Sequence, residues 1–465
     1  MMWFWLFLAI VFFVIAYKRL DWAVMTTIAL LPSYLIRFDL FGLPTTWLEI
    51  MILSCVLSWL LGHWKKLSQG VANNWHSGRI IRPYPFSLEI LILLVISVMA
   101  VGVSHFSFSA IGLWRAYFLE PILFFLVVFN VIGPDKNFKK IIFPLSLSAI
   151  GVSAVAWYQQ FVDMNFLNPI WSLQGRATSI FEYSNALGLY LAPIIMLMIA
   201  WVLSEERQVD SRFKTIKLGY YFLTAVVAVL AIVFARSDGA LIALAVAGAL
   251  FGLLANKKIA IITLSLGICL LATIYFIPKL NLYVSDQLAL KNLSGEIRKQ
   301  QWRETWQMLS QDNRWFWGAG LNGYQTAVLP FHQEGIFFNK DHDPDFYRHT
   351  VFNDEYRKTH WQPVEIYLYP HNIILNFWSE LGLLGALLFV WLIIKYWLIG
   401  LKNWWAFSSK FSDHYVVLGL LTATTAIVVQ GLVDVPYFKN DLAVMFWLLV
   451  AMMGLLNTWN KNKAS

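Results

Sequence analysis

Apolar runs of about twenty residues recur along the chain, and a run of that length crosses a bilayer as one α-helix. The pattern predicts spans at 2–17, 22–36, 45–62, 87–104, 111–132, 141–161, 183–203, 217–235, 239–255, 259–277, 371–399, 415–433 and 441–458. The second span contains Pro32 and is followed by Arg37, so a re-entrant or interfacial segment is the alternative there. The chain is therefore predicted to be an all-α, multi-pass membrane protein.

These spans divide the chain into three parts. Residues 1–277 hold transmembrane helices 1–10, residues 278–370 form one long loop, and residues 371–465 hold transmembrane helices 11–13 and a short cytoplasmic tail. Within the long loop, residues 294–311 place apolar side chains roughly on one face, which predicts an amphipathic helix. The expected architecture is a bundle of about 12–13 transmembrane helices with one long extracytoplasmic loop.

Composition agrees with a membrane protein. The chain is 59% hydrophobic and 13% charged, whereas about a quarter of the residues in an ordinary soluble domain are charged. Residues 1–17 lack the basic segment and cleavage site of a signal peptide, so we expect them to remain as a span. Cys55 and Cys269 lie in apolar runs and are spaced for neither a metal site nor a disulfide framework.

The basic residues orient the spans. Of the 35 Lys and Arg residues, twenty lie in alternate loops and ten in the long loop. The short loops on the other side hold five, namely Arg37, Arg115, Arg176, Arg236 and Lys439. The positive-inside rule therefore places the long loop outside and the C-terminal tail in the cytoplasm. Because the cytoplasmic loops account for the net charge of +8, we expect no binding to nucleic acid.

Two arginines in these outside loops are candidate ligands for a diphosphate. Arg176 lies in "GRATSIFEYSNALG" and Arg236 in "FARSDGAL", and neither has an acidic partner four residues away. The planar guanidinium group can bind phosphate oxygens in a bidentate manner. The alternative is that each side chain reaches lipid phosphates at the membrane surface.

The second half of the long loop is rich in glycine, acids, histidines and aromatics. Gly318, Gly320 and Gly323 in "WFWGAGLNGYQ" predict a turn that brings the backbone close to another group. It is a weak signal for phosphate, because no strand precedes it and no P-loop lysine follows. His342 lies between Asp341 and Asp343, but a polar loop gives such a cluster by chance, so we predict no metal. The aromatics would suit stacking against sugar rings.

The span at 371–399 has polar residues at its mouth and inside it. Asn372, Asn376 and Glu380 follow one another at intervals of four and lie on one stripe of the helix. Polar groups at membrane depth indicate either a functional site or hydrogen bonds between packed helices. His371 differs from them because it stands at the outer mouth, where a polar substrate can reach it.

Several of these segments resemble the O-antigen ligase/polymerase superfamily. They are "RATSIFEYSNALGLYLAP", "ARSDGALIAL", "SGEIRKQQWRETWQML", "WGAGLNGYQ", "HNIILNFWSELGLLG" and "GLVDVPYFKNDLAVMFWLL", and the resemblance extends over roughly residues 80–458. It implies a GT-C-like bundle in the bacterial cytoplasmic membrane. Such a protein transfers glycan from undecaprenyl diphosphate to a glycan, lipid or protein acceptor on the outer face. The reaction serves surface polysaccharide and lipopolysaccharide biosynthesis and uses no cofactor or metal.

The resemblance also suggests roles for individual residues. His371 matches the family histidine at the end of the outer loop and would be catalytic. Arg176 and Arg236 match family arginines, and either Arg298 or Arg303 matches a third, so all four are candidate diphosphate ligands. Supporting residues are Asn185, Gly318, Gly320, Tyr324, Asn372 and Glu380. The aspartate after "ARS" and the acidic second half of the loop are less typical of the family, which leaves the acceptor open.

The residue types fit this chemistry. Positioned arginines stabilise the charge that builds on a diphosphate leaving group, and a histidine can take the proton of the attacking hydroxyl. A transporter or flippase is the alternative, although we find no paired broken helices in two halves. The cell-wall polymerases of the shape-and-division type would use a loop aspartate and lack a span that begins with His-Asn. Ligase and polymerase use the same donor and differ in the acceptor, so the sequence does not distinguish between these two activities.

Overall fold

The computed structural model describes residues 2–76, 85–133, 137–206, 214–407 and 412–464, and these are largely helical. The helices outside the long loop are α1 (Met2–Lys18), α2 (Leu20–Ala29), α3 (Trp47–His76), α4 (Ser87–Val103), α5 (Phe108–Trp114), α6 (Glu120–Ile132), α7 (Lys139–Phe161), α8 (Pro169–Ser172), α9 (Ser184–Glu206), α10 (Lys214–Phe234), α11 (Asp238–Ala255), α12 (Lys257–Phe276), α19 (Ile373–Ala406), α20 (Ser412–Gly431) and α21 (Asn440–Ala464). The long loop contains α13 (Pro278–Leu288), α14 (Leu293–Leu309), α15 (Arg314–Trp317), α16 (Tyr324–Val328), α17 (Phe346–Phe352) and α18 (Asp354–His360).

The membrane spans follow the apolar runs. Within the described ranges, nine helical spans are long and apolar enough to cross a membrane, and they correspond to the last nine predicted spans. The first four predicted spans coincide with the shorter apolar helices Trp3–Lys18, Leu20–Ala29, Trp47–His63 and Ser87–Val103. The prediction of an all-α membrane protein is confirmed.

The second predicted span, 22–36, is shorter as an α-helix than the sequence pattern suggested. Helix α2 has ten residues and is about 15 Å long, roughly half the hydrocarbon core. A 3₁₀ turn containing Pro32 follows it and leads into the hairpin of β1 (Arg37–Leu40) and β2 (Leu43–Thr46). Phe41 and Gly42 connect the strands and have φ values of 53° and 80°, as in a type I′ turn. The length of α2 favours the re-entrant or interfacial alternative.

The core of the bundle lies among α9, α20 and α21. More than four-fifths of the apolar windows of these three helices are buried, whereas no part of the window of α12 is. The loops that connect the inner helices at one end hold Arg176, Arg236, Asp434 and the start of α19. These residues therefore lie together at one end of the bundle.

Some of the basic residues behind the predicted orientation lie outside the described residues. They are Arg79, Arg82, Lys136, Arg207, Arg212 and Lys410. The orientation of the bundle in the membrane remains a prediction from charge.

The long loop is attached to α19 by the glycine turn. The amide of Ala319 donates a hydrogen bond to the carbonyl of Ser379, at 2.6 Å. Helix α19 is kinked at Gly382, which has φ 76°, and a Cβ atom there would collide with the carbonyl oxygen of Phe316. The loop and the helix thus approach each other so closely that only glycine fits at the kink. A second two-stranded pair, β3 (Gly335–Phe337) with β4 (Trp361–Pro363), closes the far part of the loop.

Candidate functional site

One cavity collects charged residues from distant parts of the chain. Its volume is about 370 Å³, within the range of small-molecule sites. It lies where the α10–α11 turn, α14 and the segment after α20 meet. Its polar wall consists of Arg176, Asn185, Arg236, Ser237, Asp238, Gln287, Asn292, Ser294, Arg298, Gln430 and Asp434. Three arginines face two aspartates, so the lining is positive overall.

Arg176 is held in place by backbone carbonyls, an amide side chain and an aromatic ring. Its Nε donates to the carbonyl of Ala235 at 3.0 Å, and its Nη2 donates to Oδ1 of Asn185 at 3.0 Å. The guanidinium carbon lies 5.3 Å from the centre of the Trp171 ring, which is a cation–π distance. Burial lowers the pKa of Arg176, while Asp238 opposes this effect and Arg236 and Arg298 add to it. The predicted supporting residue Asn185 therefore positions Arg176 at the cavity.

Arg236 lies in the tight turn between α10 and α11. Its φ is 47°, a left-handed conformation that costs a non-glycine residue about 1–2 kcal/mol. Its Nη1 donates to the carbonyl of Gln174 at 3.1 Å. Gly175, with φ 60°, lies directly against the Arg236 guanidinium group, since a Cβ there would be 3.3 Å from Nη2. The loop of Arg176 and the turn of Arg236 therefore interlock.

Helix α14 places Arg298 in the cavity wall and Arg303 elsewhere. The two residues are five positions apart, which turns their side chains toward different faces of the helix. Arg298 donates from Nη1 to Oγ of Ser294 at 2.8 Å, and Arg303 lies on the exposed face. Burial lowers the pKa of Arg298, with Asp434 opposing this effect. The Nε of Arg298 is buried and has no hydrogen-bond partner among the described residues, which leaves a donor for a ligand.

His371 lies beside the cavity and is held by α14. Its Nδ1 is 2.9 Å from Oε1 of Gln301, and Gln301 is buried. An amide oxygen only accepts, so this contact assigns the proton to Nδ1 and leaves Nε2 as a proton acceptor. The next residue of α14, Trp302, lines the cavity and donates to the carbonyl of Pro370 at 2.9 Å. Burial lowers the pKa of His371; Asp434 raises it and Arg298 lowers it further.

A comparison with protein families places much of this site in one known domain. Residues 223–390 match the family described as O-antigen ligase. This part of the chain is therefore similar to the O-antigen ligase family. The matched region contains Arg236, Arg298 and His371, and no curated protein matches the chain. Arg176 and Asp434 lie outside the matched region, yet the fold brings them to the same cavity.

Asn372 connects the site to the start of α19. Its Oδ1 caps the helix by accepting from the amides of Ile374 and Leu375, each at 3.0 Å. Its Nδ2 donates to the carbonyl of Leu432 at 3.0 Å, two residues before Asp434. Asn372 therefore fixes the position of His371 relative to Asp434.

The other predicted supporting residues do not line the cavity. Gly318 and Gly320 have φ values of 71° and 80° and pack against the backbones of α19 and α4. Glu380 is buried and accepts from the amide of Asn322 at 2.7 Å. Tyr324 hydrogen-bonds through its hydroxyl to Thr305 at 2.9 Å beneath α14. Gly318, Gly320 and Glu380 therefore attach the long loop to the bundle, whereas Tyr324 stabilises the loop itself, and the contact of Glu380 favours its packing interpretation.

The Asp-His-Asp run of the long loop is divided among three separate pairs. His342 faces Asp286 at 3.5 Å, Asp341 pairs with His360 at 3.0 Å, and Asp343 pairs with His349 at 2.6 Å. Among the described residues, no three His, Cys, Asp or Glu side chains converge to hold a metal ion. The hydrogen bond from His349 lowers the pKa of Asp343. The run therefore serves the internal structure of the loop.

Three residues of the site were not among those predicted from the sequence. Asp434 is a single acid between apolar residues in "GLVDVP", and it is 3% exposed. Gln301 and Trp302 sit in the predicted amphipathic helix, but only the fold brings them to Pro370 and His371. The one available signal was the charge of Asp434 at the end of a predicted span.

Proposed function

We propose that this protein transfers a glycan from undecaprenyl diphosphate to an acceptor at the cavity. The reaction would take place on the outer face of the bacterial cytoplasmic membrane, in surface polysaccharide biosynthesis. The observation that carries the proposal is the convergence of Arg176, Arg236 and Arg298 from three separate segments on one cavity. Three guanidinium groups around a space of this size suit a group with two adjacent negative charges.

The arginines would stabilise the leaving group. As the bond between the anomeric carbon and the diphosphate oxygen breaks, the electron pair stays with the diphosphate and its charge increases. Donors fixed in advance around that position lower the barrier, because they do not need to reorganise during the reaction. The Nε of Arg298, which is buried and without a partner among the described residues, is one such donor. Asp238 and Asp434 balance part of the positive charge in the wall.

His371 would accept the proton of the incoming hydroxyl. The oxygen forms the new bond to the anomeric carbon while its proton moves to Nε2. A base must be neutral before the reaction, and burial favours neutral His371 by lowering its pKa. Gln301 holds Nδ1 as a donor, so Nε2 remains the basic atom. Trp302 of the cavity wall donates a hydrogen bond to Pro370, the residue before His371. His371 therefore lies next to the cavity, a position that suits a base acting on the acceptor.

The cavity also has a side that suits a lipid. An apolar part of the wall is formed by Ile242 on α11, Val429 on α20 and Val433 after α20. A polyprenyl chain could remain among lipid tails there while its diphosphate lies among the arginines. Ligase and polymerase activity require the same donor site, and they differ in the acceptor.

The proposal is tested with purified protein and a lipid-linked oligosaccharide as donor. We expect a product in which glycan has moved to an acceptor glycolipid, with the same yield in EDTA. Arg176→Lys keeps the charge but loses the planar fork, so transfer should fall at least tenfold. Arg348→Lys is the matched control, because Arg348 is exposed on the long loop. Unchanged transfer by Arg176→Lys would show that Arg176 does not bind the diphosphate in a bidentate manner.

A transporter or flippase is the second candidate. The break in α19 at Gly382 is the feature that favours it, because interrupted helices form substrate sites in transporters. In vesicles, a transporter would move the lipid-linked glycan across the bilayer without forming a new glycosidic bond. The transferase proposal requires that new bond.

A further inference from the structure

A second cavity lies at the other end of α14. Its volume is about 940 Å³, and it opens between the end of α4 and the glycine turn of the long loop. Its wall includes His105, Asp312, Arg314, Trp317 and Asn322. The proposed transfer reaction uses none of these residues. The cavity is also too far from the arginine cluster to hold the diphosphate, because Arg298 lies about 17 Å along α14 from the end of the helix at Leu309.

Several polar groups of this second cavity are available to a ligand. Arg314 is half-buried, and its side chain has no hydrogen bond or ion pair within the described ranges. Asp312 and His105 are exposed and likewise make no such contact with the described part of the chain. Trp317 is 41% exposed. Charged hydrogen-bonding groups beside an aromatic surface match an oligosaccharide, which presents hydroxyl groups and an apolar ring face.

A stripe of side chains connects the two cavities. Trp302 and Trp306 lie four residues apart on the same side of α14, and Ser310, the residue after the helix, continues this interval. Arg298 and Trp302 line the arginine cavity, and Ser310 lies two residues before Asp312 of the second cavity. Trp306 is 57% exposed between them. We call this series the α14 stripe.

The α14 stripe begins next to the proposed base. Trp302 donates to Pro370, and its neighbour Gln301 contacts His371. A glycan that runs along the stripe therefore presents its end to His371, which would deprotonate the attacking hydroxyl. A glycan in that position belongs to the acceptor, since the donor sugar is attached to the diphosphate among the arginines.

We propose that the α14 stripe and the second cavity form an extended binding site for the acceptor oligosaccharide. This inference rests on the proposed function. Arg314 and Asp312 bind hydroxyl or anionic groups far from the reaction, while Trp306 and Trp317 pack against sugar rings. An acceptor of several sugars reaches the second cavity, whereas a short acceptor contacts only the part near His371.

The test compares long and short acceptors at saturating donor. The probes are the complete oligosaccharide released from the glycolipid acceptor and a trimmed fragment that keeps only its reacting end. For Arg314→Gln, Trp306→Ala and Trp317→Ala, we expect KM for the long acceptor to rise about tenfold, because each variant removes one contact with the distant part of the acceptor. The kcat, the KM for the fragment and the retention of lipid-linked donor should remain those of the wild type. Arg348→Gln on the exposed loop surface is the control.

The outcomes separate this inference from the proposed function. Equal KM values for the long acceptor in wild type and all three variants, with transfer intact, would overturn the binding site and leave the transferase standing. An equal rise in KM for the long acceptor and for the fragment would also overturn the binding site, because a general packing defect affects both acceptors alike. The absence of transfer in the wild type, with donor and acceptor present, would contradict the proposed function itself.

Discussion

The contact between Gln301 and His371 leads to a prediction about pH. Gln301→Glu replaces the amide by a carboxylate of nearly the same shape at 2.9 Å from Nδ1. The negative charge favours protonated His371 and raises its pKa, whereas burial lowers that pKa in the wild type. A base must lose its proton before it can act, so the variant should need a higher pH for activity.

The expected size of the effect follows from this distance. An opposite charge within hydrogen-bond reach shifts a pKa by about 1–3 units. The acid limb of the profile of kcat/KM against pH should therefore move to higher pH by at least about one unit. Gln301→Leu removes the hydrogen bond without adding charge. A hydrogen bond of this kind is worth about 0.5–1.5 kcal/mol, so Gln301→Leu should lower kcat about two- to tenfold with little movement of the limb.

The assay is transfer from lipid-linked donor to glycolipid acceptor between pH 5 and 9, in parallel with donor retention. His371→Ala serves as the background for a double-mutant comparison. In that background, Gln301→Glu should have no further effect on the pH profile, because its target is gone. Two results would refute the role of Gln301 as a positioning residue. One is an acid limb that does not move in Gln301→Glu, and the other is a limb that moves by the same amount when His371 is replaced by alanine.

Further predictions concern the arginines, the base and the topology. Arg298→Gln should lower kcat/KM for the donor about 10- to 100-fold, since hydrogen bonds to charged groups are worth about 1.5–3 kcal/mol. Arg303→Gln should change kcat/KM by no more than about twofold, and equal effects of the two variants would contradict the assignment of Arg298 to the cavity. His371→Ala should reduce turnover about 10²- to 10⁴-fold and retain the labelled donor, so loss of retention would move His371 to the phosphate site. In a background without native cysteines, Lys340→Cys should react with an impermeant maleimide in intact cells and Lys258→Cys should not; the reverse pattern would place the site on the other side of the membrane.

Much of the fold follows from the sequence because membrane spans are set by apolar length. The last nine spans lie where the pattern places them. The second span differs, because Pro32 and the Phe41–Gly42 turn redirect a chain that is still apolar enough to resemble a span. A hydropathy pattern does not predict where a turn of this kind redirects the backbone.

The site is only partly accessible to sequence reasoning. The arginines could be selected because few basic residues fall in the short loops of that side. Arg298 and Arg303 could not be separated, because the sequence does not tell which face of α14 meets the bundle. Gln301 and Asp434 act through contacts with segments far away in the chain. Gly318 and Gly320 indicated a close approach, and the fold identifies its partners as α19 and α4.

The attachment of the long loop to α19 limits how the protein can be recombined. The loop enters the helix at His371, and it also contacts α19 again around Ser379, Glu380 and Gly382. A chimera that exchanges residues 278–370 alone would place the glycine turn of one protein against the kinked α19 helix of another. A functional module for exchange between relatives therefore extends to about Gly385, roughly four helical turns beyond the loop as the sequence defines it.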